Sequence, residues 1–276
     1  MYKILSVDDE PINQAIVKEL FSAKFDVALA SSGEECLQNI ATIKADLILL
    51  DVSMAGMDGY DTCRELKKDA STRHVPIIFV SARGSLEDKI KAYEAGGYDY
   101  ITKPFNHSEL ESKIKHTIET AKQSENAAKQ ENNSSYNSAT ISPPTFEEAE
   151  IINQFLSACC ASVSLSNLGV LLLNTCQELN LDCSLQFRTQ SETCNFSTKN
   201  EISPLEQSLF EQTKNRDRCF DFNSTTIMTY PHISLLIKNM PVDDSDQHGG
   251  LKNLLGILMG GIESRIKALI NETALY

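Results

Sequence analysis

Short apolar runs recur at an even spacing through the first part of the chain: Ile4-Leu5-Ser6-Val7, Val27-Ala28-Leu29, Leu47-Ile48-Leu49-Leu50, Ile77-Ile78-Phe79-Val80 and Tyr98-Asp99-Tyr100-Ile101. Each run has strand length and is mostly apolar, and helix-length polar stretches separate them. Runs that are apolar on both sides of the pleat belong to a parallel sheet covered on both faces. Ser32…Glu35 and Asn106…Glu109 place a capping side chain three residues before an acid that can reach back, which marks two helix starts. Five such units predict a doubly wound, five-stranded parallel α/β domain over residues 1–122. Its last helix carries Leu110, Ile114, Thr117/Ile118 and Ala121 on one stripe, expected to pack on the sheet.

The pattern then changes twice. Residues 123–145 are rich in Gln, Asn, Ser and Ala, end in Ser142-Pro143-Pro144 and are read as a flexible or partly helical linker. Residues 146–276 predict two helices, over 146–161 and 167–180, then strands near 183–188 and 193–196. Ser203-Pro204-Leu205-Glu206 combines a cap, a proline at the first helical position and a box acid, so a helix runs from there to about residue 215. Strands near 219–222, 226–230 and 233–238 follow, and a long helix covers roughly 246–271. This order implies an α+β domain with an antiparallel sheet flanked by helices.

A chain of 276 residues accommodates two such domains. Residues 1–122 carry 15 Lys+Arg against 20 Asp+Glu, and residues 123–276 carry 10 against 18, within a net charge of -13. Neither half gains counterion-release energy from a phosphate backbone, so nucleic acid is not an expected partner. Acid follows at once on Met1-Tyr2-Lys3-Ile4-Leu5-Ser6-Val7, where a signal core would continue, and the apolar stretch from Leu251 to Ile262 is interrupted by Lys252 and too short to span a bilayer. A cytoplasmic protein without membrane partners is the expectation, and its eight cysteines are then reduced, mostly buried hydrophobes.

The chemistry concentrates at the carboxyl ends of the predicted parallel strands, where open α/β sheets place their sites. Asp8 and Asp9 follow the first strand, Asp51 the third, Ser81 the fourth and Lys103 the fifth. Three carboxylates converging on one crevice call for a hard divalent cation such as Mg²⁺. A carboxylate beside such an ion is a competent nucleophile toward a phosphoryl group, with Lys103 and Ser81 placed to hold the phosphoryl oxygens.

Asp8-Asp9, the run Asp51-Val52-Ser53-Met54-Ala55-Gly56-Met57-Asp58-Gly59, Ser81 and Lys103-Pro104-Phe105 together resemble the receiver domain of bacterial response regulators, a flavodoxin-like fold. The resemblance implies that Asp51 is the phosphoacceptor, that Asp9 is a direct Mg²⁺ ligand and Asp8 acts more through water, and that the Ser53 carbonyl completes the metal site. It further implies that Ser81 is the switch hydroxyl, that Tyr100 is the aromatic reporting phosphorylation to the outer face, and that Lys103-Pro104 is a cis peptide. One departure stands out: the family usually has proline where Ala55 stands, which loosens the loop after Asp51.

Residues 123–276 lack the motifs of cyclase, phosphodiesterase and kinase outputs and of a helix-turn-helix. His232 and His248 have no acidic or histidine neighbour at ligand spacing and are read as a strand residue and an exposed loop or helix-start residue. The run 214–218 (Lys-Asn-Arg-Asp-Arg) is read as a solvated turn, and the acids of 243–246 as the cap of the final helix. In element order the domain is similar to GAF-like or PAS-like sensory folds, because helices precede its first strand and a long helix closes it. The expected function is a non-enzymatic response regulator. It takes a phosphoryl group from a sensor histidine kinase or phosphotransfer protein, and it signals through a downstream protein or a homodimer. A ligand-binding C-terminal domain is the alternative, and a transcription factor is a more distant one.

Overall fold

The computed structural model describes residues 1–128, 147–189, 193–198, 202–214, 218–242 and 245–273. The segment read as a linker from residue 129 on, the middle of the charged run at 214–218 and the first two acids of 243–246 lie outside them. The chain divides into two units, the first spanning Met1–Asn137 and the second drawn from residues 138–276.

The first unit follows the expected beat. Its strands are β1 (Lys3–Val7), β2 (Asp26–Ala30), β3 (Leu47–Leu50), β4 (Ile77–Ser81) and β5 (Asp99–Thr102). Between and after them run α1 (Pro11–Phe21), α2 (Gly33–Ile43), α3 (Gly59–Lys68), α4 (Leu86–Glu94) and α5 (His107–Ala128). All strand pairs are parallel, in the order β2-β1-β3-β4-β5.

Alternation along each strand feeds two cores. Ile4, Leu47, Leu49, Ile78, Val80 and Ile101 pack with Val17 and Phe21 of α1 and with Leu110, Ile114 and Ile118 of α5. Leu5, Val7, Ile48, Leu50, Ile77 and Phe79 face α2, α3 and α4. The stripe on α5 thus lies on the sheet, as its spacing predicts. The capping details differ from expectation. Ser32 Oγ accepts from Glu35 N at 3.1 Å, but the Glu35 carboxylate reaches back one residue further, to Ser31 N at 2.7 Å. Asn106 Oδ1 accepts from Ser108 N at 2.9 Å.

The second unit comprises α6 (Glu147–Ala161), α7 (Leu165–Glu178), β6 (Cys183–Arg188), β7 (Thr193–Ser197), α8 (Pro204–Thr213), β8 (Cys219–Phe222), β9 (Thr225–Thr229), β10 (Ile233–Ile237) and α9 (Ser245–Thr273). Its sheet is antiparallel throughout, in the order β7-β6-β10-β9-β8. Leu185, Phe187, Ile233, Leu235 and Ile237 point to a core closed by Phe155 of α6, Leu168 and Leu172 of α7, and Leu254 through Ile266 of α9. The alternate positions Ser184, Gln186 and Ser234 are polar yet buried, and Ser184 Oγ meets Glu206 Oε1 of α8 at 3.5 Å.

None of the eight cysteines is bonded to another, and five are buried, where burial pushes the thiols of Cys36 and Cys63 up to about 12. Among the described residues, no helix is long and apolar enough to cross a membrane.

Candidate active site

Parallel pairing aligns the carboxyl ends of β1, β3, β4 and β5 along one edge, so the residues that follow them are neighbours whatever their distance in sequence. Asp8 leaves β1, Asp51 leaves β3, Ser81 ends β4 and Lys103 leaves β5. Lys103 Nζ stands 2.6 Å from Asp51 Oδ1 and 2.8 Å from Asp8 Oδ2, bridging the two carboxylates. Asp51 Oδ2 accepts from Ser53 N at 2.6 Å. Asp8 Oδ1 accepts from Glu10 N at 2.9 Å and from Asn13 Nδ2 at 3.1 Å. The bond between Lys103 and Pro104 is cis.

Both bridged acids are buried, Asp8 at 6% and Asp51 at 8% exposure, so their charge is costly. Burial raises the Asp51 pKa above its ordinary value, and the nearby Asp8 charge adds to this, while Lys103 and the Ser53 N–H oppose it. Burial would lower the Lys103 ammonium, but its bonds to Asp51 and Asp8 outweigh burial and hold it above its ordinary value. The result is a partly desolvated carboxylate with a fixed cation beside it, at the mouth of a cleft of about 490 Å³ lined by Asp8, Asn13, Ile16, Asp51, Lys103 and His107 among others.

Helix α3 begins immediately beyond this loop. Asp58 Oδ1 caps it by accepting from Asp61 N at 2.8 Å. Gly59 has no freedom to be anything larger, since a β-carbon there would lie 2.1 Å from the Asp51 carbonyl oxygen and 2.9 Å from Val52 Cα. This close approach sets the backbone that carries Asp51.

Ser81 is fully buried, and its Oγ accepts from Arg83 N at 3.2 Å. Tyr100 is turned inward at 6% exposure, its hydroxyl donating to the Arg83 carbonyl at 3.0 Å and its ring 6.2 Å from that of Phe79. Burial pushes its phenol up. Ser81 and Tyr100, read as switch residues, thus meet at one residue, Arg83.

Asp9 takes a different partner from the bridged pair. It is exposed, and its Oδ2 accepts from Ala55 N at 2.9 Å. Ser53 is exposed as well. Among the described residues no three His, Cys, Asp or Glu side chains are gathered closely enough to hold a metal ion. Lys103 joins Asp8 and Asp51, and Asp9 is held to the loop after Asp51 by a backbone N–H that no side-chain pattern reveals.

The second unit contains histidine–carboxylate contacts that sequence spacing does not show. His232 sits in the turn before β10 rather than on a strand, and its Nδ1 lies 2.8 Å from Glu263 Oε1, while its N donates to Glu263 Oε2 at 3.0 Å. His248, in the first turn of α9, lies 3.6 Å from Asp221 Oδ1. The signal for the first pair was an acid beside the apolar face formed by Met259, Ile262 and Ile266.

Residues 4–115 match the response regulator receiver domain family. The chain is 40% identical over 114 residues to the transcriptional regulatory protein YrkP of Bacillus subtilis, an overlap of 41% of this chain and 48% of YrkP. It is 37% identical over 114 residues to the response regulator PleD of Caulobacter vibrioides, covering 41% of this chain and 25% of PleD. The chain thus spans half the length or less of these two relatives. Among solved structures, the receiver domain of a sensor histidine kinase from Pseudomonas aeruginosa, with a magnesium ion coordinated in its active-site cleft, is 30% identical. That match covers 42% of this chain and 97% of the other, with a TM-score of 0.40.

Proposed function

We propose, on the premise that residues 4–115 are a response regulator receiver domain, that Asp51 accepts a phosphoryl group from a histidine kinase or phosphotransfer protein in a two-component pathway. The observation that carries this reading is the Lys103 ammonium bridging Asp51 and Asp8 at 2.6 and 2.8 Å. In the reaction a carboxylate oxygen of Asp51 forms a bond to phosphorus while the bond from phosphorus to the donor's histidine nitrogen breaks. Lys103 stays charged throughout and can pass from the carboxylate to the new phosphoryl oxygens. Ser81 supplies a hydroxyl to the same oxygens once its bond from Arg83 N is exchanged.

The residues present fit Mg²⁺. Their donors are all oxygen, and two buried carboxylates share one ammonium, which leaves negative charge for a hard dication to neutralise. Asp8, Asp9, Asp51 and the Ser53 carbonyl would hold it. When bound, it supplies positive charge to the phosphoryl oxygens and helps align in-line attack. The chemistry is confined to the protein's own phosphorylation and dephosphorylation, so this reading does not make it an enzyme acting on other substrates, and it places the protein in the cytoplasm.

The second unit is read as a GAF-like output that acts by binding a downstream protein or a second copy of the chain. Two helices precede its first strand and one long helix closes it. Its acid excess supports an output other than DNA binding, with 10 basic against 18 acidic residues in 123–276.

The test is phosphorylation of the full chain with acetyl phosphate and Mg²⁺, read by intact mass and phosphate-affinity gels. Wild type gains one phosphoryl group and Asp51→Asn gains none. Equal labelling of the two proteins would refute the assignment. Light scattering on the same samples, with beryllofluoride as phosphoryl mimic, reads the output: a mass change in wild type alone supports self-association, and an unchanged mass directs the output to a separate partner.

A further inference from the structure

The loop that follows Asp51 donates alternate backbone N–H groups to three carboxylates. Ser53 N reaches Asp51 Oδ2 at 2.6 Å, Ala55 N reaches Asp9 Oδ2 at 2.9 Å, and Met57 N reaches Glu34 Oε1 at 3.1 Å. The middle bond is unlike the other two. Asp51 binds within its own loop and Glu34, exposed as Asp9 is, lies at the start of α2, but Asp9 belongs to the acidic pair after β1. Its bond to Ala55 N crosses 46 positions of sequence and ties it to the loop on the far side of the crevice.

A residue type decides whether this bond can exist. Proline at position 55 has no N–H and would leave the Asp9 carboxylate without this partner. Alanine keeps the donor. Gly56, at φ +80, turns the chain just after it.

We infer that the Ala55 N–H is a latch on Asp9: it holds the Asp9 carboxylate out of the metal site, weakens Mg²⁺ binding, and is released when the ion binds. This rests on the reading of the site as a Mg²⁺-dependent phosphoacceptor. It accounts for Asp8 and Asp51 being joined through Lys103 while Asp9 is bonded to Ala55 N instead. The coupling is reciprocal by linkage: whatever the latch takes from metal affinity, metal binding takes from the latch. Metal occupancy is thereby passed to residues 53–57, an exposed stretch apart from Met54 and Met57. Ala55 acts as a positioning residue, since it touches neither the metal nor the phosphoryl group.

The latch predicts that Ala55→Pro, measured as the full chain by titration calorimetry with MgCl₂ and no phosphodonor, binds Mg²⁺ about three- to tenfold more tightly than wild type, the range expected for one exposed hydrogen bond of ordinary net strength. Ala55→Gly, which keeps the N–H, stays within about twofold of wild type on the same grounds. Equal affinities for Ala55→Pro and wild type, with both folded by circular dichroism, overturn the latch. A proton NMR titration of wild type decides the matter even if the proline variant does not fold. The Ala55 amide proton is expected to move upfield and exchange faster at saturating Mg²⁺, and an amide unchanged in shift and exchange overturns the latch. Failure of both proteins to bind Mg²⁺ at all would instead remove the metal reading on which the latch depends.

Discussion

The Lys103 ammonium lies 2.6 Å from Asp51 Oδ1, close enough that each group sets the protonation of the other. Burial nevertheless wins at Asp51, whose pKa is raised above the ordinary 3.8. A raised carboxylate favours the folded state only when protonated. Its contribution is complete below pH 3.8 and is lost as pH rises through the folded value, so at neutral pH the ionised Asp51 is a burden on stability. Asp51→Asn removes that burden and is expected to raise the melting temperature of the first unit at pH 7 by about 2–4 °C. The gain should vanish below pH 3.8. Without divalent ions, ¹³C titration of the Asp51 carboxyl should give a midpoint above 3.8 that rises in Lys103→Met and falls in Asp8→Asn. A midpoint at or below 3.8 in wild type would contradict the desolvation argument.

Gly59 sets the path of the backbone that holds Asp51. The 2.1 Å approach of a β-carbon to the Asp51 carbonyl is against backbone, which cannot move aside as a flexible side chain does. Gly59→Ala should destabilise the first unit by about 3 kcal/mol or more and displace Asp51 from Lys103. Gly260 of α9 gives the opposite case, since a β-carbon there meets nothing within 4 Å. Gly260→Ala should stabilise the second unit by about 0.5–1 kcal/mol through helix propensity. Urea denaturation followed by circular dichroism measures both, and similar effects at the two positions would refute the packing account.

Ile12 is 74% exposed and Ile16 44% exposed on α1, the helix that follows Asp8. Ile16 lines the cleft that contains Asp51 and Lys103. On the proposed reading, a protein donor of the phosphoryl group would dock on this apolar surface beside the cleft, whereas acetyl phosphate needs no docking. Ile12→Glu should therefore slow transfer from a phosphorylated histidine-containing donor about tenfold, a typical effect for an interface anchor, and leave labelling by acetyl phosphate unchanged. Equal transfer from the protein donor in variant and wild type would show that the donor docks elsewhere.

The parts of the site that could be read from sequence are those decided by strand order. Asp8, Asp51, Ser81 and Lys103 each follow or end an apolar run, and a parallel sheet brings such positions to one edge. The antiparallel second unit was legible from the order of its elements, two helices before the first strand and short strands in succession, with a long helix at the end. The partners of Asp9 and Glu263 were not legible. Asp9 is held by a backbone N–H, which every residue but proline carries, so side-chain type does not mark it. Glu263 lies 31 positions from His232, and the turn before β10 brings the two together only once α9 has packed on the sheet.

The His232 and Glu263 pair fastens that turn to α9. Glu263 is 5% exposed and accepts both the backbone N–H and the ring nitrogen of His232. Burial would raise its pKa, but the two His232 bonds and Lys267 outweigh burial and hold it below the ordinary 4.5. A lowered carboxylate contributes stability above its unfolded value and loses it as pH falls through the folded value, so the contribution is present at neutral pH and disappears below pH 4.5. His232→Ala removes the ring partner and leaves a buried carboxylate under-bonded, which should destabilise the second unit by about 1–3 kcal/mol at pH 7. Lys267→Ala should cost well under about 1 kcal/mol, because that side chain is 56% exposed and its pairing is screened. Urea melts at pH 7 and at a pH below the folded value of Glu263 separate the two effects. A His232→Ala penalty that is equally large at both pH values would mean that packing of the ring, rather than its bond to Glu263, holds the turn to the helix.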